Sequence, residues 1–137
     1  MGILIDADVV IRAERGKFDL HNWLAQQPDE RFLIASITIA ELWHGLERAS
    51  GAHRSARERF LRAFVRNIAV VPFTEETGYV LARLWADLEK AGTRIGDYDM
   101  IVASTALLAD CAVASFNARH FSVVAGLRVI VPQSLSS

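Results

Sequence analysis

The sequence predicts an α/β fold in which a parallel sheet of short strands is covered by helices on both faces. Two observations carry this. Short runs of β-forming residues are apolar throughout rather than alternating, which marks strands buried on both sides. Between them lie longer segments with apolar residues at helical spacing, the order expected of βα units.

The elements follow in turn. Ile3-Leu4-Ile5 is a buried first strand that stops at Asp6, and Asp8 is placed to cap a helix. Arg12 to Asp19 is polar and is expected to be a turn, followed by a short helix over Leu20 to Gln26 that stops near Pro28. Phe32 to Ala35 is the second strand. Thr38 to Ala49 carries Ile39, Leu42, Trp43 and Leu46 on one helical face, and Gly51 marks a break. A helix over His53 to Asn67 sets Phe60, Leu61, Phe64 and Ile68 against an arginine-rich side. Val70-Val71-Pro72 is a short strand. Thr74 caps a helix whose first turn holds Glu75 and Glu76 and which ends before Gly92. Gly96-Asp97 opens a helix through Leu108, and Ala112–Ser115 and Arg128–Val131 are the last strands.

With 137 residues, just over half of them apolar, and a net charge of −1, the chain is expected to fold as one soluble domain over residues 1–137. Cys111 stands alone, so no disulfide framework exists, which fits a reducing cytoplasm. The apolar run before Asp6 is too short for a signal peptide or a membrane span, so a cytoplasmic protein without membrane attachment is expected. Near-neutral net charge does not exclude nucleic acid, because local distribution matters more than the sum. Lys17 and Lys90 are the only lysines; the other basic residues are arginines, the better bidentate phosphate ligands.

In parallel α/β sheets, sites form at the carboxyl ends of the strands. Asp6 and Asp8 directly follow the first strand, and Glu41 lies one turn into the helix after the second. Asp97 and Asp99 begin the helix that leads into the fourth strand, and Asn117 follows that strand. A parallel sheet brings all of them to one edge. Each pair of carboxylates about 4 Å apart costs on the order of 4 kcal/mol at an effective dielectric near 20. A divalent cation removes that cost, and an all-oxygen set favours Mg²⁺ or Mn²⁺ over zinc.

Each acid also has a structural reading. Thr38-Ile39-Ala40-Glu41 fits a capping box, Asp97 an N-cap, and Asp99 a first-turn partner of the helix dipole. Asp6 is harder to dismiss, since no basic residue lies within five positions of it. Taken together, the acids at matching topological positions favour metal binding.

Three segments carry a resemblance. Ile3-Leu-Ile-Asp6-Ala-Asp8-Val-Val-Ile11, Ile37-Thr38-Ile-Ala-Glu41-Leu-Trp-His-Gly45 and Ile95-Gly96-Asp97-Tyr-Asp99-Met-Ile-Val-Ala-Ser104 resemble the PIN-domain nucleases. Their order and spacing are most like the VapC-type toxins of toxin–antitoxin pairs. The resemblance extends through Ser115-Phe-Asn117-Ala-Arg-His-Phe121 and Gly126-Leu-Arg-Val129. It implies a PIN-like three-layer α/β/α fold with a short central parallel sheet. It also implies an endoribonuclease using Mg²⁺, with Mn²⁺ able to substitute, that leaves a 5′-phosphate and a 3′-hydroxyl. Carried over, the metal-binding and catalytic acids fall on Asp6, Glu41 and Asp99, with Asp97 and Asn117 as auxiliary metal ligands. The expected partners are an RNA substrate, a cognate antitoxin and a second copy of the chain.

The sequence departs from the family pattern at Ala7, where Thr or Ser is usual, at Ser104 (usually Ala) and at Ser115 (usually Thr). Asn117 stands at a position that is Asp or Asn in the family, which weakens any second metal site.

Arg59, Arg62 and Arg66 share one helix face and are candidates for holding RNA backbone, although they equally suit a solvated face. Trp43 and Trp85 read as core or interface aromatics, and His120 as a surface residue. Two rivals remain. One is a haloacid-dehalogenase-like phosphatase with Asp6 as nucleophile and Asp8 as acid, for which Lys90 is the one candidate cation and Glu41 has no role. The other is a degenerate domain that binds RNA or a partner without cutting.

Overall fold

A computed structural model describes residues 2–133. Five parallel strands form the sheet: β1 (Gly2–Ile5), β2 (Arg31–Ala35), β3 (Ala69–Val71), β4 (Cys111–Ala114) and β5 (Val129–Ile130), in the order β3-β2-β1-β4-β5. The order reverses direction at β1, which pairs with β2 on one side and β4 on the other. That is the switch point at which parallel sheets open a crevice beyond their strand ends.

The helices are α1 (Ala7–Glu14), α2 (Leu20–Ala25), α3 (Ser36–Glu47), α4 (Gly51–Arg66), α5 (Glu75–Lys90), α6 (Asp97–Leu108) and α7 (Ala118–Phe121). Alternation along β1 divides them into two layers. Ile3 and Ile5 face a core with Val9 and Val10 of α1, Trp23 of α2, Leu42 and Leu46 of α3, and Leu61 of α4. Leu4 faces the other core, with Leu84 and Leu88 of α5, Met100, Val102 and Ala103 of α6, and Phe121 of α7. The three-layer α/β/α expectation holds. Cys111 is buried in the second core.

Three local expectations are corrected. The first helix begins at Ala7, capped by Asp6 rather than Asp8, and takes in Arg12 to Glu14, which were expected in a turn. Helix α3 starts at Ser36 with Ala35 as its N-cap, so Thr38 and Glu41 form no capping box; Thr38 is instead fully buried. Gly96 rather than Asp97 occupies the N-cap of α6. The capping box lies at α5, where Thr74 and Thr77 bond reciprocally and Glu75 and Glu76 fill the first turn. Among the described residues, no helix is long and apolar enough to cross a membrane.

Candidate metal centre

Asp6 is placed by strand pairing. In β1, Ile5 stands opposite Ala114 of β4, so the next residues outward, Asp6 and Ser115, meet where both strands end. The Asp6 backbone N–H still donates to Ala114 O at 2.9 Å, while its Oδ1 accepts from Ala7 N at 2.9 Å. Its Oδ2 accepts from Ser115 Oγ at 2.8 Å. Asp6 is thus both the cap of α1 and a fixed carboxylate that is 4% exposed.

Asp8, two residues on in the first turn of α1, accepts from Phe116 N at 3.0 Å and ties the segment after β4 to α1. Ser115 Oγ in turn accepts from Asn117 N at 2.9 Å. Arg12 lies over the Phe116 ring, 4.2 Å from its centroid, and is the cation that acts on Asp8. Asp99, in the first turn of α6, approaches His120 of α7, with Oδ2 3.1 Å from Nδ1. His120 is therefore a surface residue, as expected, but one that adjoins the site.

The electrostatics report a crowded site. Burial, chiefly, and then the charges of Asp8, Asp99 and Glu41 push the Asp6 carboxyl up to about 7, although the Ser115 hydrogen bond opposes the shift. Burial, followed by Asp99 and Asp8, also lifts Glu41 to about 7. Asp8 is raised as well, mainly by burial, against its hydrogen bonds and Arg12. The charges acting on Asp6 are all carboxylates, with no lysine among them. The phosphatase reading needs a lysine beside the acids, and Lys90, the last residue of α5, is not among the charges acting on Asp6.

Asp6, Asp8, Glu41 and Asp99 therefore share one field. Asp97 is exposed in the first turn of α6 and lines a small cleft of about 410 Å³ with Glu41, Gly96, Tyr98 and Asp99. Asn117 is exposed at the N-cap of α7 and makes no side-chain cap bond. Arg59, Arg62 and Arg66 are exposed on α4 and are not among the charges acting on Asp6, Asp8 or Glu41. Arg62 donates to Glu58 Oε2 at 2.9 Å and lies 5.8 Å from the Trp43 ring centroid. Trp43 is partly buried against the first core, whereas Trp85 is 53% exposed.

A divalent cation fits this donor set in a specific way. Glu41 Oε1 is buried without a protein partner, and burying such an oxygen is costly unless something answers it. Among the described residues, however, no three carboxylate or imidazole groups converge tightly enough to grip an ion by themselves. An ion held here would have to keep several of its waters and take only one or two carboxylates directly, as Mg²⁺ can.

The chain matches the PIN domain family over residues 3–127 and belongs to it. Within that family it is similar to ribonuclease VapC10 of Mycobacterium tuberculosis, 30% identical over 92% of this chain and 90% of the relative. It is likewise similar to ribonuclease VapC1 of Rickettsia felis, 29% identical over 98% of both chains. Among solved structures, VapBC2 from Rickettsia felis bound to a promoter DNA fragment superposes with a TM-score of 0.87 at 21% identity, covering 94% of this chain and 97% of that one. DNA-bound VapBC from Salmonella typhimurium superposes at 0.84 with 22% identity, over 94% and 96% of the two chains. These likenesses confirm the PIN fold.

Proposed function

We propose that the protein is a metal-dependent endoribonuclease and the toxin of a toxin–antitoxin pair, acting on RNA in the cytoplasm. One observation supports this above the others. Asp6, Glu41 and Asp99 share a field at the switch point of the sheet; the charges acting on Asp6 and Glu41 are all carboxylates, and both groups are pushed up to about 7. A site that only bound RNA would gain nothing from buried, mutually repelling carboxylates facing a polyanion. The relatives' names, which include a tRNA(fMet)-specific endonuclease VapC from Salmonella typhimurium, 27% identical over 72% of this chain, support the same chemistry.

In this reading Asp6, Glu41 and Asp99 hold Mg²⁺ or Mn²⁺, partly through its waters. The ion supplies an acidified water and charge relief on the phosphate. The chain's own residues set the geometry. Ser115 and the Ala7 N–H fix both oxygens of Asp6, and His120 steadies Asp99. Asp97 and Asn117 stand at the rim as auxiliary ligands. With Glu58 engaging Arg62, Arg59 and Arg66 remain on α4 for RNA backbone.

An antitoxin has a suitable surface in an apolar groove of about 650 Å³ between α2 and α4, lined by Phe18, Leu20, Leu24, Phe60 and Phe64. The exposed Tyr79 and Trp85 of α5 offer a face for a second copy of the chain. The test is induced expression in a bacterial host. The wild-type chain arrests growth and translation while Asp6→Asn does not; equal growth of both strains, with the protein soluble, would refute the toxin reading.

A further inference from the structure

Two helical rows lead away from the carboxylates. On α1, Asp8, Arg12 and Arg15 follow at i, i+4 and i+7; on α3, Glu41, Gly45 and Arg48 do the same. Such spacing keeps each row on one helix face, and the two helices pack together. At the far end, Arg15 and Arg48 meet Arg57 of α4 around a cavity of about 260 Å³, whose remaining lining residue is Gly45.

Three features mark this cavity. Arg57 is held in place, its Nε 2.7 Å from Oε1 of Glu14, whose side chain is only 6% exposed. The side chains of Arg15 and Arg48, both exposed, by contrast make no ion pair, hydrogen bond or ring contact among the described residues. Each closes a helix, where the dipole favours a cation. The dipole accounts for each singly but not for their convergence on a third arginine, since like charges repel.

Gly45 is the third feature. A glycine inside a helix costs about 1 kcal/mol relative to alanine, and packing does not demand one here. A Cβ at this position would stand 3.5 Å from the nearest atom, Nη2 of Arg57, an ordinary contact. A side chain longer than alanine's at this position would extend toward Arg57 and into the cavity that Gly45 lines. Guanidinium groups around an open cavity suit the oxygens of a phosphate, with which arginine makes paired charge-assisted bonds.

We infer that Arg15, Arg48 and Arg57 form a phosphate subsite that holds the RNA backbone away from the cleavage centre. Seven helical residues separate it from Asp8 and Glu41, about 10 Å at 1.5 Å per residue. At 3.4 Å of rise per nucleotide that is roughly three nucleotides from the scissile bond. The inference rests on the ribonuclease reading and extends it, making affinity depend on RNA that reaches beyond the carboxylates.

The test uses fluorescein-labelled bulk tRNA, read by anisotropy over a range of salt concentrations, with the wild type, the double variant Arg15→Gln/Arg48→Gln, and Gly45→Glu. Arg57 is left intact because its loss would strand buried Glu14. The double variant binds at least about fivefold more weakly, and its log–log salt slope falls by about 0.7–0.9 for the one phosphate released. Gly45→Glu, which puts a carboxylate among the guanidinium groups and keeps all three arginines, weakens binding as much without lowering the melting temperature. Wild-type affinity and slope in both variants would overturn the subsite while leaving the nuclease reading intact. Absence of tRNA binding by the wild type would overturn both. Poly-L-glutamate that loses affinity for the double variant when tRNA does not would assign the cavity to an acidic protein and also overturn the subsite.

Discussion

Ser115 Oγ lies 2.8 Å from Asp6 Oδ2, joining residues 109 positions apart at the ends of two paired strands. The same hydroxyl accepts from Asn117 N, so one fully buried side chain sets both the central carboxylate and the start of α7. Removing it leaves a buried carboxylate oxygen and a backbone N–H without their partner, which costs about 1–3 kcal/mol. Ser115→Ala is expected to lower the melting temperature by several degrees and to slow RNA cleavage at least about tenfold. Ser115→Thr, which keeps the hydroxyl, restores most of the cleavage rate; activity in Ser115→Ala equal to that of the wild type would remove Ser115 from the site.

The crowding of carboxylates predicts how stability varies with pH. Asp6 and Glu41 both have folded pKa values near 7, above their ordinary values of 3.8 and 4.5. Between about pH 4 and pH 7 the folded chain therefore binds more protons than the unfolded one, and stability falls as pH rises through that window. For Asp6 alone the shift corresponds to on the order of 4 kcal/mol against the ionised form. In EDTA, thermal denaturation is expected about 5–10 °C higher at pH 5 than at pH 8. Adding Mg²⁺ at pH 8 recovers part of the difference by binding only the folded state. A melting temperature that rises with pH in EDTA would contradict this account.

Charge removal gives the same result at fixed pH. Asn at position 6 keeps an oxygen to accept from Ala7 N, and its amide can donate to Ser115 Oγ. Asp6→Asn is therefore expected to raise the metal-free melting temperature at pH 8 by a few degrees while abolishing cleavage. A clear fall would make Asp6 a structural partner rather than a metal ligand.

The two acids of α6 are expected to differ. Asp99 is among the charges acting on both Asp6 and Glu41, whereas Asp97 is exposed and acts on neither. Asp99→Asn should reduce cleavage at least about a thousandfold with the fold intact, and Asp97→Asn less than about tenfold. Equal effects in a rate assay would refute the distinction.

The centre of the sheet was legible in the sequence because β1, β2 and β4 are largely buried on both faces, so uninterrupted runs such as Ile3–Ile5 and Phe32–Ala35 have few other readings. The acids were legible because a parallel sheet sends every strand end to one edge. Helix starts were less so. Thr38 and Glu41 have capping-box spacing, but packing takes Thr38 wholly into the interior and the helix begins two residues earlier. Local propensity cannot see that choice. The partnerships of Ser115 with Asp6, and of His120 with Asp99, depend on strand register and on the placing of a four-residue helix, neither of which is written in local spacing. Arg12, Arg15, Arg48 and Arg57 carried no signal, because their meaning comes only from how α1, α3 and α4 pack.

The measurement that tests the central claim most directly is cleavage of total cellular RNA by the purified protein at pH 8, in Mg²⁺ and in Mn²⁺, beside EDTA, Asp6→Asn and Glu41→Gln controls. The account predicts discrete fragments bearing 5′-phosphates in both metals and none in any control. Intact RNA under every condition, or cleavage that persists in EDTA or in the Asp6→Asn variant, would contradict it.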